Sequence, residues 1–307
     1  MTLRSDSRLE RLLHAGEFAV TAEVVPPRGA DGSTVREQAE ALLGYADAVN
    51  ITDNPTSSAH MSSVAGAALV AKTGLEPVVQ ITTRDRNRLA ITADLLGAWA
   101  LGARNVLCLT GDPVSAGDHP QAKEVFDLDV LELVRFVVRL RDQSELLSGK
   151  HVDEPPRYCV GVADVPLAPD YEPERLEAKV DAGADFVQTQ IVYDVEALGE
   201  WADRIRGRGI FDRAFVLVGV APPRSARSAR FMQEHLAGVV VPDDVIKRLE
   251  DAGEDSRGEG VRLTVEVVRA LRNIDGIAGV HVMGLGHEDS VRQVIEDAEL
   301  LPRPKLS

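Results

Sequence analysis

Phe18-Ala-Val-Thr-Ala-Glu23-Val-Val-Pro26-Pro27-Arg28 is an apolar run that carries a single carboxylate and stops at two prolines. A β-rich run of this kind reads as a buried strand, and an ionised carboxylate inside one is costly unless it is paired, hydrogen-bonded or raised in pKa. Pro26 and Pro27 cannot donate ladder hydrogen bonds, so the strand ends near Val25 and leaves Glu23 close to its C-terminal end. In an α/β barrel that end is where active sites are built. The structural alternative for Glu23 is an ion pair with an arginine such as Arg28.

Outward from this stretch, strand-like and helix-like runs alternate along the chain, the pattern of a parallel sheet with crossover helices. A short helix at Ser7 to His14 precedes strand one, Phe18 to Val25, and Ser33 caps a helix to Leu43. Strand two, Ala48 to Thr52, leads into a small-residue helix from Ser57 to Lys72. Strand three is Pro77 to Thr82, with a helix at Arg86 to Leu101. Strand four, Asn105 to Leu109, opens into the loop Thr110 to Asp127 and a helix from Asp129 to Leu146. Ser148 to Pro156 reads as a loop, because the alternation resumes directly after it. Strand five is Tyr158 to Val162 with a helix at Pro173 to Ala182, and strand six is Phe186 to Ile191 with a helix at Val195 to Gly207. Strand seven, Phe215 to Val220, is followed by three helices: Ala226 to His235, Pro242 to Ala252 and Gly258 to Asn273. Strand eight is Val280 to Met283, and its helix runs from Asp289 to Leu300. Eight such pairs predict a single (β/α)8 TIM barrel over residues 1–307, with extra helices after strand seven; a doubly wound sheet is the alternative.

Composition narrows the function. The 307 residues are 44% hydrophobic and carry a formal net charge of −15. Nucleic acid and anionic membrane surfaces need a basic face, so both are excluded as partners. No apolar run reaches a membrane span and the N-terminus lacks a signal-peptide core, which predicts a cytoplasmic protein. Cys108 and Cys159 lie in apolar runs and read as reduced, buried thiols. No metal-ligand spacing occurs, so no metal is expected. A homo-oligomer is compatible with the sequence, but no apolar stripe marks an interface.

In a barrel the residues just past each strand share one cavity. They are Glu23, Thr52 with Asn54, Gln80 with Thr82, Asp112, Asp164, Gln190, Arg224 and His287. So many polar groups suit a polar heterocycle, although polar residues also gather wherever strands give way to loops. Glu23 and Asp112 are candidates for an acid and an electrostatic stabiliser with separated pKa values. Thr110-Gly111-Asp112-Pro113 makes a tight turn with an exposed carboxylate. Gly284-Leu285-Gly286-His287-Glu288-Asp289 is not a dinucleotide fingerprint: Asp289 stands where a third glycine belongs, and the acids would repel a pyrophosphate. His287 reads as a hydrogen-bonding loop residue.

Four stretches carry a resemblance: Ala22-Glu23-Val24-Val25-Pro26-Pro27-Arg28, Cys108-Leu109-Thr110-Gly111-Asp112-Pro113, Lys179-Val180-Asp181-Ala182-Gly183-Ala184-Asp185 and Thr189-Gln190-Ile191-Val192-Tyr193-Asp194. In their order and spacing the chain resembles the methylenetetrahydrofolate reductase family over nearly its whole length. The resemblance implies a (β/α)8 barrel that reduces 5,10-methylenetetrahydrofolate to 5-methyltetrahydrofolate with NADH or NADPH, usually through bound FAD. By the same resemblance Glu23 is the general acid that helps open the methylene-bridged ring to an iminium. Asp112 is the carboxylate that binds the pterin and stabilises the cation. Gln190 and Thr52 contact substrate, and Gln80, Thr110, Gly111, Asp164, Lys179 and His287 fall on the cofactor side.

The departures bear on the cofactor. Gln80 replaces the family's histidine, Thr110 an arginine, and Arg175 and Ala178 a flavin-facing asparagine and arginine, with Lys179 kept. Ile191, Val192 and Ala226 replace aromatics. Losing two arginines at a diphosphate site removes charge-assisted hydrogen bonds worth roughly 1.5–3 kcal/mol each. The expectation is therefore a flavin-independent relative in which NADH, in preference to NADPH, passes hydride directly to the folate iminium. The alternatives are an FAD-dependent ping-pong reductase of the same family, a catalytically silent folate-binding or electron-transfer subunit, and a barrel oxidoreductase acting on another small substrate such as proline.

Overall fold

The computed structural model describes residues 3–306. Runs of alternating side chains form eight strands: β1 (Ala19–Val24), β2 (Ala48–Ile51), β3 (Pro77–Thr82), β4 (Asn105–Leu109), β5 (Cys159–Asp164), β6 (Phe186–Ile191), β7 (Phe215–Val220) and β8 (Ile277–Val282). Each pairs in parallel with its chain neighbours and β8 pairs back onto β1, closing the (β/α)8 barrel that the alternation predicts. The helices are α1 (Arg8–His14), α2 (Ser33–Ala41), α3 (Ser63–Ala71), α4 (Arg88–Ala100), α5 (Val130–Gln143), α6 (Pro173–Asp181), α7 (Val195–Arg206), α8 (Ala226–His235), α9 (Asp243–Asp251), α10 (Ser256–Leu271) and α11 (Glu288–Asp297). Three of them, α8 to α10, follow β7 as the sequence suggests. No helix among the described residues is long and apolar enough to cross a membrane.

The period-two pattern of each strand separates two cores. Val20, Ala22 and Val24 of β1 face outward with Val160 and Val162 of β5, and pack under Leu95, Leu133, Leu176 and Leu198 of the helices. Ala19, Ala48, Val78, Leu107, Cys159, Phe186 and Leu217 face inward and form an apolar floor, sealed from below by Leu9 and Leu13 of α1. Gly161 makes room for the Phe186 ring in this floor, since a Cβ there would lie 2.2 Å from Phe186 Cζ. Above the floor the interior turns polar. The Asn50 and Gln188 amides exchange hydrogen bonds of 2.6 and 3.2 Å across the barrel, and Gln188 Nε2 donates to Thr21 Oγ1 at 3.1 Å. Thr21 Oγ1 also lies 3.0 Å from His281 Nδ1. Burial pushes the His281 pKa down to about 4, so the ring is neutral at physiological pH.

Below the barrel Asp47 joins the two ends of the fold. Its fully buried carboxylate accepts from Val20 N at 2.9 Å, from Arg8 Nη2 at 2.8 Å and from Arg303 Nη2 at 2.6 Å. Arg303 also donates to the Phe18 carbonyl at 2.7 Å.

Several boundaries differ from the sequence reading, among them these three. The helix placed from Ser57 starts at Ser63, where the Ser62 hydroxyl accepts from Ala65 N. Residues Pro55–Ser57 form a 3-10 turn instead, with Asn54, Thr56 and Ser57 all at positive φ (49°, 52° and 55°). Strand β8 begins at Ile277, three residues earlier than expected. Strand β5 continues past Val162 to Asp164, which is in ladder register with Thr189. Asp164 therefore shares the outward parity of Val160 and Val162.

Candidate active site

Glu23 follows Ala19 and Thr21 on the inward face of β1, one pleat nearer the C-terminal mouth than the buried polar layer. It is half-buried. Its carboxyl makes no hydrogen bond or ion pair among the described residues, and burial raises its pKa to about 7. The pairing with Arg28 does not form: Arg28 points to Asp118 at 3.8 Å. Thr52 continues the inward file of Ala48 and Asn50, and its buried Oγ1 has no hydrogen-bond partner among the described residues. Gln80 follows Val78 on β3, and its side-chain amide makes no hydrogen bond among the described residues. Three adjacent strands thus present, at one mouth, an acid, a hydroxyl and an amide without partners among the described residues. Buried polar groups are ordinarily satisfied, so such a grouping is what a polar ligand would complete.

Asp112 stands on the rim after β4. Gly111, at φ 89°, turns the chain there, and a Cβ on it would lie 3.1 Å from the Thr82 and Arg84 Cβ atoms. The Asp112 carboxylate accepts from Thr56 N at 3.0 Å, and its carbonyl accepts from Ser57 Oγ at 2.6 Å and Arg84 Nη1 at 3.3 Å. Asp112 therefore clasps the positive-φ turn after β2. Thr110 is exposed and its carbonyl accepts from Arg84 N at 3.1 Å. The Arg84 guanidinium, 1% exposed, is shared between Asp85, Ser57 and Asp112. Asn54 and Thr82 have structural partners: Asn54 Oδ1 accepts from His60 N, and Thr82 Oγ1 donates to Asp53, which Arg86 also binds.

The other candidates lie elsewhere around the ring. One extra residue in β6 against β7, between Gln188 and Ile191, forms a bulge that re-aims Gln190. Its Nε2 donates to the Ala237 carbonyl at 3.3 Å, tying it to the loop between α8 and α9. Asp164 and Lys179 sit behind β5, across the barrel from β1. Asp164 accepts from the Tyr171 hydroxyl at 2.9 Å, and Lys179 Nζ donates to the Ala163 carbonyl at 2.7 Å. Burial raises the Asp164 pKa and lowers that of Lys179, each partly offset by the other's charge. His287, on the loop after β8 and so next to β1, meets Arg224 through Nε2. Burial and the charges of Arg224 and Arg257 lower its pKa, and neither arginine has a carboxylate at ion-pair distance among the described residues.

Sequence reasoning missed the layer beneath this mouth: Thr21, Asn50, Gln188 and His281. The signal was present, since each has the same strand parity as a residue that was picked, Glu23, Thr52 or Gln190, or lies in register with one that does. No cluster of three or more His, Cys, Asp and Glu among the described residues is placed to hold a metal ion.

The family model described as methylenetetrahydrofolate reductase matches residues 8–299. The chain belongs to the methylenetetrahydrofolate reductase family. Methylenetetrahydrofolate reductase 1 of Schizosaccharomyces pombe is 30% identical over 236 residues, covering 74% of this chain and 36% of that protein. Probable methylenetetrahydrofolate reductase (NADPH) of Caenorhabditis elegans is 25% identical over 314 residues, covering 95% of this chain and 44% of its own. The chain thus spans less than half the length of either relative. Among solved structures, a Clostridium thermocellum protein that binds two copies of 5-methyl-5,6,7,8-tetrahydrofolic acid shares the fold, with a TM-score of 0.65, 14% identity and coverage of 96% and 99% of the two chains. Within this family barrel the positions that depart from the resemblance divide. Gln80 faces the mouth, whereas Ile191, Val192 and Ala226 are buried in packing, and Arg175 pairs with Glu172 at 2.8 Å on the surface.

Proposed function

We propose that this protein reduces 5,10-methylenetetrahydrofolate to 5-methyltetrahydrofolate with hydride taken directly from NADH. The observation that carries this is Glu23, an unpartnered acid of pKa about 7 at the mouth of a reductase-family barrel. A general acid works best with a pKa near the working pH, and Glu23 has that without a charged neighbour to consume its proton. Its proton goes to the ring nitrogen that leaves the methylene bridge, and the carbon–nitrogen bond breaks to give an iminium. The Asp112 carboxylate offsets the positive charge formed. The nicotinamide supplies hydride to the iminium carbon, which becomes the methyl group, and Glu23 regains its proton from water. Thr52 and Gln190 orient the pterin, and the Gln80 amide would hold the nicotinamide carboxamide. The excess of acidic residues favours NADH over NADPH.

The residues on the flavin side do not suit a flavin diphosphate. Lys179 gives its ammonium to Ala163, Arg175 is paired at the surface, and Arg84 is enclosed by its own partners. No step is therefore routed through FAD. The test is the visible absorbance spectrum of freshly purified protein, followed by NADH oxidation with methylenetetrahydrofolate and no added flavin. A colourless protein that turns over supports direct transfer; a yellow one whose activity tracks its flavin content would refute it. Loss of folate binding altogether would refute the substrate.

A further inference from the structure

Beside the mouth, between the loop after β1 and the start of α3, lies an open cavity of about 740 Å3 lined by Arg28, Arg36, His60, Met61 and Leu69, among others. Its size is that of a small-molecule site, and its lining is a few polar groups around an apolar floor. Arg28 and Arg36 put two cations on this wall, with Asp118 and Asp31 beside them. Arg36 makes no ion pair among the described residues. Its Nη1 folds back to 3.6 Å from where a Gly32 Cβ would stand, and Leu69 Cδ1 reaches 2.8 Å from the same point, so the absence of a side chain at Gly32 brings cation and apolar wall together. Among the described residues Arg28 has one ion-pair contact, with Asp118 at 3.8 Å. His60 Nδ1 is 2.8 Å from the Ser58 carbonyl and so carries the ring proton, which leaves Nε2 for a ligand.

We propose that this cavity takes the adenosine diphosphate end of the nicotinamide donor, a placement that rests on the hydride-transfer reading above. Two arginines match a diphosphate, whose oxygens accept the paired N–H groups of a guanidinium. Met61 and Leu69 offer an apolar seat for adenine. The cavity is framed by the segments that follow β1 and β2, the strands that carry Glu23 and Thr52. Arg28 lies five residues past Glu23, at most roughly 17 Å along an extended chain, so an extended dinucleotide anchored here can put its other ring at the mouth. Nothing in the fold supplies the glycine-rich turn that usually performs this task.

ADP-ribose, which carries the diphosphate but no nicotinamide, separates this from the reaction itself. Calorimetric titration of the full chain should show binding, with competition against NADH. Arg36→Glu should weaken ADP-ribose about tenfold and raise the KM for NADH by a similar factor, the loss expected for one charge-assisted contact. Ala68→Trp, which fills the cavity without removing charge, should do the same. The effect should fall on KM for NADH and not on KM for methylenetetrahydrofolate. If both variants leave ADP-ribose and NADH unaffected, the site is wrong. If they weaken p-aminobenzoylglutamate and the folate substrate instead, the cavity takes the folate tail and the proposal is overturned. A wild-type protein that binds ADP-ribose but does not oxidise NADH supports the site and refutes the reaction; one that oxidises NADH but ignores ADP-ribose does the reverse.

Discussion

Glu23 keeps its proton to about pH 7 because burial disfavours the carboxylate and no cation or donor stands close enough to reverse that. In the unfolded chain the same group titrates near 4.5. Between those values the folded protein holds a proton that the unfolded chain has released, so stability falls as pH rises through this window and stays lowered above it. The difference of about 2.5 pH units, at about 1.4 kcal/mol each, sets a ceiling of roughly 3.5 kcal/mol on the cost. Glu23→Gln removes it. The variant should unfold at higher urea than wild type at about pH 8, and the gap should close toward pH 4.5. Catalysis should move the opposite way: kcat falls by about 10²–10⁴-fold while folate affinity is kept. In the wild type, kcat/KM should decline above about pH 7, and a flat profile through pH 9 would remove Glu23 from the acid role.

At the level of elements, the rim depends on three loops that hold one another. Gly111 places Asp112 over the turn at Thr56 and Ser57, and that turn carries consecutive positive-φ residues whose backbone strain only such outside contacts can maintain. Gly111→Ala adds a Cβ against Thr82 and Arg84 at a φ that L-residues avoid, at a cost of about 1–3 kcal/mol. The expected result is a lower thermal midpoint and reduced kcat, with the pH edge set by Glu23 unmoved, read from melting curves and a pH–rate series. These contacts also explain what the sequence reading could see. Strands announce themselves through local alternation, and Glu23 through its incongruity in one of them. The sequence starts its helix at Ser57, the last residue of the turn Pro55–Ser57, because what shapes that turn, Asp112, is 56 residues away from Thr56. Asp164 was counted among the mouth residues because β5 was ended two residues early; its parity in the longer strand sends it behind the sheet to Tyr171. The layer of Thr21, Asn50, Gln188 and His281 went unread because each looks unremarkable on its own strand and gains meaning only when the barrel closes.

Across the whole molecule the interior runs from an apolar floor, through a neutral polar layer, to an acid at the open end. Gly161 and Phe186 show how tightly the floor is filled. Gly161→Ala should destabilise by about 1–3 kcal/mol through overpacking, and Phe186→Leu in the same chain should recover part of that, a coupling that a double-mutant cycle by urea unfolding measures. At the base, Arg303→Ala takes one cation from the buried Asp47 and leaves its charge less compensated. A loss of about 3 kcal/mol with an unchanged denaturant slope is expected.

The Asp47 junction also has a meaning in time. Arg303 comes after every strand and helix of the barrel in chain order, yet its partners, the Phe18 carbonyl and Asp47, stand just ahead of the first and second strands. During synthesis Asp47 has Arg8 within reach from the start, but the carboxylate lacks its second cation, and the earliest strand keeps one edge unpaired, until nearly the whole barrel has emerged. Until then the barrel cannot close, and Arg303, which follows its last strand and helix, is the latch.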